Sequence, residues 1–137
     1  MDIGVRQMVE GAKGQVAAVS PLELKERIDR GEVDLIVDVR EGDEYRAGHL
    51  PDAINVPRGV LELNADPSLP ATNPALSANP EGRVVVYCTK APGFRSLTAA
   101  GTLGRMGYSN VVAMPEGLDG WSGAGLPTER DGESPIQ

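Results

Sequence analysis

Apolar residues recur along this chain in two periods. Val5, Met8, Val9 and Ala12 fall at i, i+3, i+4 and i+7, the spacing of one helical face. "SPLELKERIDRG" carries a helix start: Ser20 as N-cap, Pro21 at the first helical position and Glu23 completing a capping box. Leu24 and Ile28 share its apolar face, and Gly31 is the stop. Between such segments lie shorter, continuous apolar runs. Val33 to Val39 is broken only by Asp34 and Asp38, as suits a strand buried on both faces of a parallel sheet. "RVVVY" is the clearest strand, and "NVVAM", "AINV" (closed by Pro57) and "GQVAAVS" supply three more. "EGDEYRAG" predicts one or two helical turns. "RSLTAAGTLGRMG" predicts a helix with Leu97, Ala100 and Gly104 on one face and Gly107 as its stop.

Strands alternating with helices predict an α/β fold: a central, mainly parallel sheet of about five strands with helices on both faces. Residues 1–15 form an N-terminal helical extension and residues 16–128 the domain itself. Residues 129–137 form an acidic tail without periodicity, expected to fray. The stretch from Asn64 to Pro80 holds Pro67, Pro70, Pro74 and Pro80 and predicts a long loop rather than a linker, because strand signals resume after it.

Composition narrows the function. The 137 residues suit one domain, and with only 4% aromatics the core must be built from Val, Ile, Leu and Ala. The net charge of −7 argues against nucleic acid and against an anionic membrane surface as partners. No secretory leader pattern is visible at the start, and no run is long enough to span a bilayer. A single cysteine excludes an internal disulfide framework, and a cytoplasmic location is the simplest expectation. One Cys and one His make no zinc site, and neither a metal nor another cofactor is called for.

That cysteine, Cys88, stands where a strand ends and a loop leads into a helix. In α/β folds ligands collect at the carboxyl ends of strands, next to helix N-termini. A thiol reacts as thiolate, and helix N-termini and cations favour that form. Lys90 and Arg95 are the local cations, Gly93 permits unusual backbone angles, and consecutive N–H groups in such a loop can form an anion nest. The opposing reading is a buried thiol that fills space. Pattern alone leaves both open.

Three blocks carry a resemblance. "IVDVREGDEYRAGHLPDAINVP" is similar to a family pattern of D-V-R, then E-[YF], then G-H-I-x-G-A-x-N-[IV]-P. "VVVYCTKAPGFRSLTAAGTLGRMGYSNV" resembles its Y-C-x-x-G-x-R-S loop with the following helix and strand. "MPEGLDGWSGAGLP" resembles its closing G-G-x-x-x-W-x-x-x-G-L-P. In this order and spacing, from about Val16 to Thr128, they resemble a rhodanese-like domain. The resemblance implies a sulfurtransferase: Cys88 becomes a persulfide by attack on thiosulfate or another sulfane donor, and a thiol or cyanide then takes the sulfur. A protein persulfide is a further expected partner. The loop residues Thr89, Lys90, Ala91, Gly93, Phe94, Arg95 and Ser96 would cradle the donor, with Arg95 supplying charge.

The loop departs from the family. Four residues, Thr89 to Pro92, separate Cys88 from Gly93 where the family's common loop has two, and Arg95 follows Cys88 by seven positions. Related phosphatases use an offset of six. Pro92 has no N–H to give. Either the "KAP" portion bulges away or the pocket is altered. Two further functions therefore stand beside sulfur transfer: a cysteine-dependent phosphatase or arsenate reductase, and a non-catalytic binding or sensory module. Asp38 and Arg40 end a strand and either support the active loop or serve structure, Asp38 as a cap and Arg40 paired with Asp38 or Glu44. His49 is read as ordering its loop, Trp121 as a core anchor, and Gly117 and Gly120 as turn formers.

Overall fold

Alternation within the strands builds two separate cores. In the computed structural model, which describes residues 4–131, the middle strand β4 (Arg83–Tyr87) turns Val84 and Val86 to one face and Val85 and Tyr87 to the other. β2 (Leu35–Asp38) pairs with it in parallel, matching Val37 to Val86 and Asp38 to Tyr87. β5 (Asn110–Met114) pairs on its other side. The two-residue strands β1 (Ala17–Ala18) and β3 (Ile54–Asn55) close the edges. The order is β1-β5-β4-β2-β3 and every pairing is parallel, so the sheet is the five-stranded parallel one that the sequence predicts.

On one face lie α1 (Val5–Lys13), α4 (Leu61–Ala65), α5 (Pro74–Ser77) and α6 (Phe94–Arg105). Their Val9, Leu61, Leu76, Leu97 and Leu103 pack on Val37, Val84 and Val86. On the other face lie α2 (Pro21–Asp29), α3 (Gly42–Ala47) and α7 (Gly117–Gly123). Here Leu24, Tyr45 and Trp121 meet Ile36, Val85, Tyr87 and Met114. Fully burying such a side chain is worth about 1.5–3 kcal/mol of transfer free energy, so both layers hold the sheet.

The capping box of α2 forms as expected: Ser20 Oγ accepts from Glu23 N–H and the Glu23 carboxylate accepts from Ser20 N–H. Other expectations need correction. Val5 and Met8 of the predicted α1 face are exposed, while Val9 is buried in the core and Ala12 packs against it. In α6 the apolar stripe runs through Leu97, Ala100 and Leu103, while Gly104 faces solvent. Within the predicted loop of residues 64–80, Asn73 caps Ala75 N–H and Pro74 opens the one-turn helix α5, which buries Leu76. Proline at a first helical position starts a helix rather than breaking one. Glu129, expected to open the tail, pairs with His49 as an isolated antiparallel bridge, and Asp131 N–H donates to Arg46 C=O. Residues 1–3 of the extension and 132–137 of the tail lie outside the described residues.

The connection after β2 runs to β3 on one side, and that after β4 runs to β5 on the other. The carboxyl ends of β2 and β4 therefore border the crevice where open parallel sheets take ligands. Cys88 follows β4, and Asp38 and Arg40 close β2.

Candidate active site

Two glycines clamp the loop that carries Cys88. Gly117, at φ +63°, opens α7 against it: a Cβ there would lie 2.5 Å from the Thr89 carbonyl carbon. This close approach lets Leu118 N–H donate to Cys88 C=O (2.9 Å) and Asp119 N–H to Thr89 C=O (2.8 Å). In a trans peptide the N–H points opposite the C=O. The Thr89 and Lys90 N–H groups are thereby fixed on the side away from α7. Gly93, at φ +80°, is the N-cap of α6, and a Cβ there would meet the Pro115 backbone at 2.8 Å.

The additional loop residues form an outward turn. Gly93 N–H donates to Lys90 C=O (3.0 Å), enclosing Ala91 and Pro92, whose peptide bond is cis. Lys90, Ala91 and Pro92 are exposed, whereas Cys88, Gly93 and Ser96 are buried. Thus the "KAP" portion bulges away. Gly93, expected in the cradle, instead spends its N–H within the turn, and the Ala91 side chain faces solvent. The N–H groups left without a backbone acceptor are those of Thr89, Lys90 and Ala91 and those of Phe94, Arg95 and Ser96, the first three α6 residues, which no helical carbonyl can reach. An anion there also lies at the positive end of a 12-residue helix.

Ser96 stands directly beside the sulfur. The Cys88 thiol donates to Ser96 Oγ at 3.6 Å, and the Ser96 hydroxyl donates to Gly93 C=O at 3.1 Å. A hydroxyl rotates to suit its partner, so Ser96 can turn its proton to a thiolate or persulfide.

Arg95 does not stand free. Nη1 donates to Glu44 Oε1 (2.8 Å), and Nη2 donates to Glu44 Oε2 (3.4 Å) and Thr89 Oγ1 (2.9 Å). The Thr89 hydroxyl in turn donates to Glu44 Oε2 at 3.4 Å. Arg95 drives the Glu44 carboxyl down to about 2, and Glu44 raises Arg95, with a thiolate at Cys88 among the smaller causes. Glu44 is the site residue that sequence reasoning misses. The sequence offers it only as a partner for Arg40, and nothing in the local pattern links it to a residue 51 positions later.

Arg40 pairs with Asp38 instead, in full burial. Its Nε donates to both Asp38 oxygens (3.0 and 3.1 Å) and Nη2 to Oδ2 (2.7 Å) and Gly48 C=O (2.5 Å). Asp38 Oδ1 also caps Arg40 N–H at 2.9 Å. Burial opposes the Arg40 charge, but the Asp38 carboxylate outweighs it and raises the guanidinium. The guanidinium lies 5.9 Å from the centre of the Tyr87 ring. Asp38 and Arg40 therefore brace the strand end beneath the loop and make none of the hydrogen bonds within it.

His49 is spoken for. Its Nδ1 bonds Tyr45 C=O (2.8 Å), its ring stacks on Tyr45 at 3.8 Å, and Nε2 lies 3.4 Å from Asp131. Trp121 is buried and its Nε1–H donates to Pro127 C=O (2.7 Å), as a core anchor should. Gly120 sits inside α7 rather than in a turn. A cavity of about 400 Å³ between α2, Trp121 and Pro127 opens at the amino end of β2, away from Cys88.

Comparison with known proteins agrees with this geometry. Residues 20–124 match the family model of the rhodanese-like domain. A sulfurtransferase of Allochromatium vinosum is 31% identical over 105 residues, covering 76% of this chain and 86% of that protein. An HTH-type transcriptional regulator of Mycobacterium tuberculosis is 35% identical over 117 residues, covering 82% of this chain and 44% of that protein. The chain spans about half the length of several relatives, 52% and 44% in two of them. Among solved structures, a Rhodopseudomonas palustris protein of unknown function, described as a "possible tyrosine phosphatase", superposes with a TM-score of 0.84 at 30% identity, covering 94% of this chain and 96% of that one. With strand order, the clamped cysteine loop and the three sequence blocks in accord, the chain belongs to the rhodanese-like domain family.

Proposed function

We propose that this rhodanese-like domain is a sulfurtransferase that carries sulfane sulfur on Cys88. The observation that supports it most is a buried sulfur in a loop that leaves N–H groups without a backbone acceptor on both of its arms, at Thr89 and Lys90 and at the start of α6, with the Ser96 hydroxyl in hydrogen-bond contact with the thiol. In the first half-reaction the Cys88 thiolate attacks the outer sulfur of thiosulfate. The S–S bond to the sulfonate breaks and its electron pair leaves with sulfite, so Cys88 becomes a persulfide anion. In the second, cyanide or a thiolate attacks the outer persulfide sulfur and the Cys88 thiolate returns as leaving group. Charge and electrons balance in both halves, and the loop N–H groups stabilise the anionic sulfur throughout. A protein persulfide is a second class of donor. A single free thiol that must stay reduced suits the cytoplasm.

A phosphatase or arsenate reductase is the second reading, favoured by the R. palustris neighbour's description. Two observations weigh against it. The extra residues make an outward turn rather than a wider cradle, and the arginine that would hold an oxyanion is bound to a carboxylate.

The test is a thiosulfate:cyanide assay run beside aryl phosphate and arsenate assays on one preparation, with Cys88→Ser as control. The reading predicts thiocyanate formation that Cys88→Ser abolishes. Aryl phosphate or arsenate turnover without thiocyanate, lost in the same variant, contradicts it.

A further inference from the structure

Resting on the sulfurtransferase reading, a further residue can be assigned. The mouth of the Cys88 loop carries a carboxylate where a site for anions would carry none. Both Nη groups of Arg95 are engaged, one with Glu44 Oε1 and the other with Oε2 and Thr89 Oγ1. An oxyanion that needs the guanidinium fork must first displace Glu44. The pair is partly exposed, with about a third of each side chain open to solvent, as a displaceable contact requires.

Glu44 is also anchored from behind. It is the third residue of α3, and its Oε1 accepts Glu41 N–H at 2.9 Å. That bond from the helix start holds the carboxylate over the loop independently of Arg95. Two further cations stand near the loop. Arg40 is consumed by Asp38, and Lys90 sits on the exposed turn. The chain as a whole is acidic.

We infer that Glu44 is a positioning residue that holds Arg95 back and selects against doubly charged donors, thiosulfate included, in favour of sulfane sulfur carrying one negative charge or none, as at the end of an alkyl or protein persulfide. A thiolate at Cys88 attacks a sulfur, and the loop N–H groups receive that sulfur without Arg95. A dianion needs Arg95 as well and must break the Glu44 contact. The same contact disfavours phosphate and arsenate.

Glu44→Gln separates charge from structure, because the amide oxygen still accepts Glu41 N–H. Two donors of different charge are compared on the full chain: thiosulfate, a dianion, and benzenethiosulfonate, a monoanion. The variant is expected to raise the thiosulfate-to-benzenethiosulfonate ratio of kcat/KM about two- to fivefold, the range of a partly exposed ion pair, chiefly through KM for thiosulfate. A second measurement needs no sulfur transfer: alkylation of Cys88 by iodoacetate, an anion, against iodoacetamide, which is neutral. The iodoacetate-to-iodoacetamide rate ratio should rise in Glu44→Gln and fall in Arg95→Gln. Unchanged ratios in Glu44→Gln, for donors and alkylating agents alike, overturn the assignment. If the alkylation ratio moves while neither donor loads Cys88, the gate stands and the sulfurtransferase reading falls.

Discussion

Two arginine–carboxylate pairs stand at the same edge of the sheet and do different work. Asp38 and Arg40, at the end of β2, are 0% and 4% exposed. Glu44 and Arg95, over the loop after β4, are 38% and 34% exposed. The first pair satisfies itself within the protein: Arg40 also binds Gly48 C=O, and Asn55 Nδ2 ties the Asp38 and Arg40 carbonyls together. Its geometry leaves little for a ligand. The second has the same chemistry at the solvent boundary, next to the nucleophile. Buried pairs fix a frame, and partly exposed ones can be displaced. Burial, more than residue type, separates scaffold from working part here.

The comparison breaks most visibly at Asp38. Asp38→Ala leaves a buried guanidinium unpaired and should cost about 3–5 kcal/mol, lowering Tm by roughly 10–25 °C. Urea unfolding measures it, and a loss below about 1 kcal/mol would show that Arg40 needs no partner. Glu44→Ala, its counterpart, should cost less than about 1 kcal/mol.

Next in size is Ser96→Ala. It removes the hydroxyl that faces the sulfur and should slow persulfide formation roughly ten- to hundredfold, the worth of a hydrogen bond to a charged group. Stopped-flow loading of Cys88 reads the effect. An unchanged rate would leave the loop N–H groups as sufficient stabilisers.

The smallest effect concerns acid. Arg95 holds the folded Glu44 carboxyl at about 2, below its ordinary 4.5. The group then binds more protons unfolded than folded between these values. Its contribution is therefore complete above about pH 4.5 and is lost as pH falls through about 2. Unfolding curves at pH 5 and pH 2.5 should converge for wild type and Glu44→Gln as pH falls. A constant gap would assign the effect to packing.

Much of this molecule is legible in its sequence. "RVVVY" predicts β4 residue for residue, because a central parallel strand is apolar on both faces. The Ser20–Pro21–Glu23 start predicts α2 because the cap is local. What is not legible depends on tertiary contact. Pro74 reads as loop but starts a helix because Asn73 caps it. Gly117 reads as a turn, yet its reason is the Thr89 carbonyl that no Cβ could approach. Gly93 reads as an anion-loop glycine, but its N–H closes a turn on Lys90. The pairing of Glu44 with Arg95 is absent from any reading by spacing, since α3 reaches Arg95 only once the sheet has brought β2 beside β4.

Whether Cys88 carries sulfur is read from the mass of the intact protein. The chain is incubated with thiosulfate and, separately, with benzenethiosulfonate, then with cyanide. The account predicts an added mass of one sulfur atom at Cys88 that cyanide removes as thiocyanate and that Cys88→Ser never acquires. No added sulfur from either donor, with Cys88 still open to iodoacetamide, would contradict it.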